Sequence, residues 1–211
     1  MSSKLAPAKS RMTSEERREA IVQTACKLFS EKGFRGTTTR ELAAAVGVTE
    51  PVLYEHFKTK RDLYDAIVGS KAEEGIVKLS SLRDRYLEAD NDSGFFIELG
   101  NQIIAWYTHD PTIIRLLLFS SLEGHELTDR FHERSKEVFA IVAEYIERRI
   151  ENGAMRPVDA TIAGRSFFGM IAHYAMSGLM FGCAPFKQPP EEVVPVMVNI
   201  FLHGMCAKEA K

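Results

Sequence analysis

Apolar residues along the 211-residue chain recur with the 3.6-residue period of amphipathic helices, and no segment alternates with period two for long. Ile21, Ala25, Leu28 and Phe29 stand at i, i+4, i+7 and i+8 and share one face; Thr13 or Ser14 with Glu16 opens that helix and Gly33 ends it. In the run 39–58, Leu42, Val46, Val48 and Leu53 are spaced to close a small shared core. Ala43 permits a tight crossing there, and Gly47 supplies a left-handed turn. Thr38 or Thr39 caps the first of these two short helices, while Thr49 with Glu50 and Pro51 opens the second. Three helices therefore fit into residues 13–58, the last two as a helix-turn-helix.

Thr59 caps a longer helix running through Leu63, Ile67, Ile76, Leu79, Leu82 and Tyr86, which the turn-rich segment 88–94 breaks. Further helices are predicted at 95–107, from Asp110-Pro111 to about 122, at 127–152 with Gly153 as the stop, at 159–182 and at 190–205. The fold class is all-α, with about nine helices and no internal repeat. It divides into a flexible basic arm at 1–12, a three-helix N-terminal domain at 13–60 and a larger helical domain at 61–211. The stretch 167–186 has no formal charge and is long enough to span a bilayer. Gly169, His173, Tyr174, Ser177, Gly178, Gly182 and Pro185 argue instead for a buried helix, packed partly on its own domain and partly on a partner subunit.

Composition changes this picture in two respects. An apolar content of 45% suffices for a core in each domain, and the net charge of −2 conceals an asymmetry. Residues 1–62 carry 12 Lys and Arg against 8 Asp and Glu, and the remainder 15 against 21, so the halves stand at +4 and −6. That is expected if the front half meets phosphate and the back half does not. Cys26, Cys183 and Cys206 are odd in number, widely spaced and form no CxxC pair, so neither a disulfide framework nor a zinc site is indicated and a reduced cytoplasm is expected. No apolar signal segment stands at the N-terminus, and no membrane association is expected.

Ala25 to Phe29, Gly33-Phe34, Thr37-Thr38-Thr39-Arg40, Ala43, Val46-Gly47-Val48 and the run Leu53-Tyr54-Glu55-His56-Phe57-Lys58-Thr59-Lys60 together resemble the DNA-binding domain of the tetracycline-repressor (TetR) family of bacterial transcription regulators. The resemblance is dense over about 50 residues. It departs from the pattern at Glu50-Pro51, where many members have Gly, so the base-reading surface is this chain's own. Docking of the second helix into a major groove makes Thr49, Glu50, Pro51 and Val52 the reading candidates. Pro51 and Val52 offer apolar contact to a thymine methyl, and Thr49 can meet a base or a phosphate. Glu50 is placed either to accept from cytosine N4 or to cap its own helix. Arg40 suits guanine O6 and N7, or alternatively a phosphate or a bridge to Glu41 or Glu55. The resemblance implies that Tyr54, His56, Lys58 and Lys60 anchor phosphates, with Thr38 and Thr39 joining through their hydroxyls. It also implies a homodimer through helices at about 161–182 and 190–205, and two heads held one helical turn apart read a palindromic operator in double-stranded DNA.

The larger domain is rich in aromatic and soft side chains: Phe95, Phe96, Ile103, Trp106, Tyr107, Phe119, Phe131, Phe139, Met170, His173 and Tyr174. Ordinary helical core accounts for any one of them. As a set, Phe96, Ile103, Trp106, Tyr107, Phe119, Phe139, Met170, His173 and Tyr174 suit a small apolar or aromatic effector with one or two polar anchors. His125, Asp129 and His132 share a helical face with the spacing of a divalent-metal site, but the charges interleaved with them fit a solvated face, and no metal or other cofactor is expected. No Gly-rich phosphate loop, GxSxG or HExxH is present, so the chain does not read as an enzyme. The expectation is a ligand-responsive regulator, a repressor released by its effector. The alternatives are a constitutive DNA binder without effector control and, behind it, a helical enzyme.

Overall fold

The computed structural model describes residues 12–109, 111–122, 127–181 and 188–205, without the side chains of 127–131, 134 and 179–181. Among them stand α1 (Ser14–Lys32), α2 (Thr39–Val46), α3 (Glu50–His56), α4 (Lys60–Glu88), α5 (Asp92–Thr108), α6 (Thr112–Leu122), α7 (Leu127–Glu151), α8 (Ala160–Phe181) and α9 (Pro190–Met205), and no strand. The basic arm and the loop that follows 181 lie outside the described residues, apart from Met12 and Gln188-Pro189.

Three of the first four helices open with one device. Thr13 with Glu16, Thr38 with Glu41 and Thr59 with Asp62 form capping boxes, in which each partner satisfies the other's exposed backbone N–H. Gly47 ends α2 at φ 79° and ψ 31°, in the left-handed region, and its N–H returns to Ala43 and Ala44. Thr38, not Thr39, is the α2 cap.

Two hydrophobic cores result. That of the head gathers Ile21, Ala25 and Phe29 of α1, Leu42 and Ala43 of α2, Leu53 of α3, then Phe57, and Leu63, Tyr64 and Ile67 of α4; Val46 and Val48 lie half-buried at its edge. That of the body stacks Phe95 on Tyr145 with ring centroids 3.7 Å apart and sets Phe96 against Phe167 and Phe201, both at 4.9 Å. The 29-residue α4 contributes to both, its first turns to the head and Leu79 and Leu82 to the body.

A second helix is also shared, which the sequence pattern did not suggest. Leu116 of α6, 2% exposed, completes the head's core while Ile114 points into the body's. The buried Tyr64 hydroxyl meets Ser120 at 2.5 Å, and Arg115 donates from Nε to the Ser30 carbonyl at 3.1 Å. The α6 helix is thus the joint between the two units.

The break after α4 is shorter than expected. Only residues 89–91 interrupt the helices, because Asn91 accepts from the Gly94 N–H at 2.8 Å and makes Asp92, Ser93 and Gly94 the first turn of α5. Asp90 turns this corner at φ 52° and, with Asp92, receives the buried guanidinium of Arg149 from α7; Arg149 Nε lies 2.7 Å from Asp92. Tyr145 donates to the same carboxylate at 2.7 Å, and burial with that bond pushes its phenol pKa well above the usual range. Where α5 passes α9, Gly100 allows the approach: a Cβ there would lie 2.8 Å from Val194.

The α8 helix is two-sided, not apolar all round in its setting. Ala163, Phe167, Ile171 and Ala175 face the core, while Ile162 at 64% exposure, Arg165, Gly169 and His173 face outward. No described helix is long and apolar enough to cross a membrane. Pro195 sits inside α9, where it removes one backbone hydrogen bond without ending the helix.

Candidate nucleic-acid interface

The outer edge of the head is made by the start of α2 and by α3. Thr38, Arg40, Thr49, Pro51, Tyr54 and Lys58 are exposed there, and Thr39, Glu50, Val52 and His56 are half-buried. Arg40 forms no ion pair or hydrogen bond with a described residue, Glu41 and Glu55 included. Its fork is free to bond a base edge or a phosphate.

Three of the predicted residues meet each other. Tyr54 donates to the Thr39 hydroxyl at 3.4 Å, and Thr39 donates to Glu50 at 2.9 Å, so a relay of polar atoms ties α3 to α2. Neither sequence reading of Glu50 describes this bond. Its carboxylate receives the Thr39 hydroxyl of the preceding helix, and the α3 cap residue Thr49 makes no side-chain capping bond. Holding α3 at a fixed angle to α2 is what a reading helix requires, because base discrimination depends on sub-ångström placement.

Lys60 departs most from expectation. Its ammonium donates to the Phe34 carbonyl at 2.7 Å and to that of Thr37 at 2.8 Å, and it sits 4.2 Å from the Phe34 ring centroid. Thr37, fully buried, donates its hydroxyl to Gly33 in the same turn. Lys60 therefore fastens the α1–α2 turn, and two of its three donors are spent inside the protein. No pattern of residue types announces such a role, since the partners are backbone carbonyls 23 and 26 residues away.

Sequence reasoning named Glu41 only as a possible partner of Arg40. Glu41 caps α2 and bonds Lys32 at 2.8 Å, and the Lys32 bond with the Thr38 bonds lowers its pKa to about 2. The Thr38-x-x-Glu41 spacing was the available signal.

Comparison with known proteins bears directly on this geometry. Residues 21–67 match the bacterial regulatory proteins of the tetR family, and residues 96–204, just over half the chain, match the C-terminal domain of AefR-like transcriptional repressors. The chain belongs to the TetR family of transcriptional regulators. An uncharacterized HTH-type transcriptional regulator, YvkB of Bacillus subtilis, is 22% identical over 89% of this chain and 96% of its own. FadR from Bacillus subtilis, solved with stearoyl-CoA, superposes with a TM-score of 0.74 at 18% identity, covering 88% of this chain and 98% of that one. AibR, solved with isovaleryl coenzyme A and operator DNA, gives 0.64 at 24% identity, with 87% and 97% covered.

In this TetR-family chain the expected effector residues do not form a single lining. Phe96 and Ile103 are fully buried, and Phe96 also packs on Phe95 and Tyr145, so both fill the core. Tyr107 and Tyr174 are buried as well; burial raises the Tyr107 pKa, and the Tyr174 hydroxyl donates to the Gln188 carbonyl at 3.5 Å. Phe119, Phe139 and Met170 are half-buried, with Phe139 against Phe168 and under Arg165. Trp106 and His173 are exposed, whereas Phe96 is fully buried. Of the metal candidates, His125 and the Asp129 side chain lie outside the described residues, as does the Phe131 side chain, and His132 is exposed. No cluster of metal ligands occurs among the described residues.

Proposed function

We propose that this regulator works as a homodimeric repressor whose grip on a palindromic operator is released by an effector bound in the body. The observation that carries the effector control is the double membership of α6. Any repacking of the body that shifts α6 must disturb Leu116, Ser120 and Arg115, and with them the seat of α1 and α4 in the head. A ligand that prefers the shifted state lowers operator affinity by the same factor by which DNA lowers its own.

Dimerisation is supported by the apolar residues left open on the last two helices. Ile162 of α8 and Val196 and Ile200 of α9 are each more than half exposed, and Gly169 has open space above it. A second copy covering this face would hold two heads for successive major grooves. The effector class we infer is an acyl thioester with an apolar tail. FadR and AibR are known with such ligands, and the aromatic core around Phe96 supplies the apolar surroundings a tail needs once it opens.

Selection of bound fragments from random duplex tests the reading, followed by release assays with acyl-CoA of increasing chain length. A palindromic consensus and chain-length-dependent release are expected. A single half-site overturns the dimer, and retention of DNA with every acyl-CoA overturns the effector class. Arg40→Ala is expected to cost about 1–3 kcal/mol at one base pair of the selected site and little on random DNA.

A further inference from the structure

The four bases present different atoms to a helix in the major groove. Cytosine offers the N4 donor, adenine an N6 donor beside the N7 acceptor, and guanine and thymine the acceptors O6, N7 and O4. A carboxylate accepts and does not donate, so it suits cytosine best and guanine and thymine least. Glu50 opens α3 beside Pro51 and Val52, half-buried on the outer edge of the head. Its Oε2 accepts from the Thr39 hydroxyl at 2.9 Å, and Thr39 in turn accepts from Tyr54 at 3.4 Å. The bonds run in one direction, so Glu50 is the final acceptor, and its carboxylate is turned to α2 instead of capping α3. Its Oε1 makes no hydrogen bond among the described residues. The side chain is thus oriented from within the protein and keeps an oxygen for a donor from outside.

We propose that Glu50 reads a cytosine in each operator half-site, with Thr39 as the positioning residue that aims its carboxylate. The proposal rests on the reading that the α2–α3 edge faces DNA, and it adds the base that this edge selects. An anionic group on such an edge opposes association with every duplex alike, because it meets phosphates. Only a base that supplies a donor offsets that cost, so the carboxylate works by rejecting sites as much as by binding one. Arg40, the residue after Thr39 on α2, brings the complementary donors for guanine O6 and N7. The edge therefore carries one fixed acceptor and one donor fork, a combination that favours half-sites containing G·C pairs over those built from A·T pairs alone.

Selection from random duplex with the full-length protein and with its Glu50→Gln variant tests the assignment, followed by titration of labelled duplexes bearing each of the four bases at the affected position. Glutamine keeps an oxygen for the Thr39 hydroxyl and adds a donor, which suits adenine N6 and N7. The wild-type consensus is expected to hold cytosine at one position of each half-site and the variant consensus adenine there, with the other positions unchanged. In titration the wild type ranks cytosine first and adenine second, with guanine and thymine weaker than cytosine by about five- to hundredfold. Thr39→Val removes the donor that aims the carboxylate and is expected to reduce this discrimination about two- to tenfold, while the salt slope on random duplex stays the same. An identical consensus for the wild type and Glu50→Gln overturns the proposal. So does a uniform loss on all duplexes with that variant, which would mark Glu50 as a strut for α3 alone. Discrimination that Thr39→Val leaves unaltered overturns the positioning role. A wild type that selects no site defeats the DNA-facing reading itself, whereas a consensus that Glu50→Gln leaves alone defeats only the assignment of Glu50, so the two failures are distinct.

Discussion

The head and the body solve opposite problems with the same element, the amphipathic helix. In the head, three to four helices of modest length share a small core and are fixed by polar devices: capping boxes, the Tyr54–Thr39–Glu50 relay and the Lys60 tie to two carbonyls. In the body, long helices are fixed by stacked rings and one buried ion cluster, and an apolar face is left open on α8 and α9. A head that must present one rigid edge to DNA suits directional hydrogen bonds, which specify angles. A body that, on the proposed function, pairs with a copy and rearranges suits apolar contact, which is non-directional and tolerates sliding.

The sharpest way to break that contrast is to charge the open face. Ile162→Asp combined with Ile200→Asp is expected to leave a folded monomer by sedimentation velocity and to weaken specific operator binding about a thousandfold or more. A dimer that survives both changes would place the pairing surface elsewhere. Next in size is Arg149→Met, which takes the cation from the mostly buried Asp92 at the α4–α5 corner, while Asp90 stays open to water. A loss of about 1.5–3 kcal/mol in urea unfolding is expected; a loss below 1 kcal/mol would mean that water serves the carboxylates equally well.

Lys60→Met separates a phosphate anchor from a tie within the head. Loss of the tie leaves two carbonyls short of a donor and is expected to cost about 1–3 kcal/mol of stability, while the salt dependence of DNA binding keeps its slope. A flattened slope with unchanged melting temperature would restore the phosphate role. The smallest effect is a pH dependence of the α2 cap. Glu41 titrates at about 2 in the folded head, held down by Lys32 and then by Thr38, against an ordinary value near 4.5 when unfolded. A lowered carboxylate pKa contributes stability that is complete above the unfolded value and is lost as pH falls from about 4.5 through about 2. Glu41→Gln should remove that part of the acid sensitivity in thermal melts between these pH values, and an unchanged profile would show that the Lys32 bridge is not maintained in solution.

How much was readable varies with the range of the interactions. The caps at Thr13 and Thr59, the left-handed Gly47 and the span of α9 were all read within a few residues, because each depends on neighbours three or four positions away. Thr49 looks like a cap in the sequence but makes no capping bond, and Glu50 turns to Thr39 eleven residues back. Lys60 presents the same ammonium to any reader of the sequence. Whether it meets a phosphate or a carbonyl depends on where the α1–α2 turn lies. The aromatic set of the body was recognised by composition, yet composition carries no information on which rings stack and which, like Trp106, remain at the surface.

The sequence by itself determined the helical class, most of the helix ends and the helix-turn-helix, since periodicity and capping act locally and are written in consecutive residues. Only the tertiary structure decided that α6 completes the core of the head, that Lys60 faces inward, and that Glu50 meets Thr39. Such assignments depend on which surfaces meet, and that is settled by packing the whole chain at once.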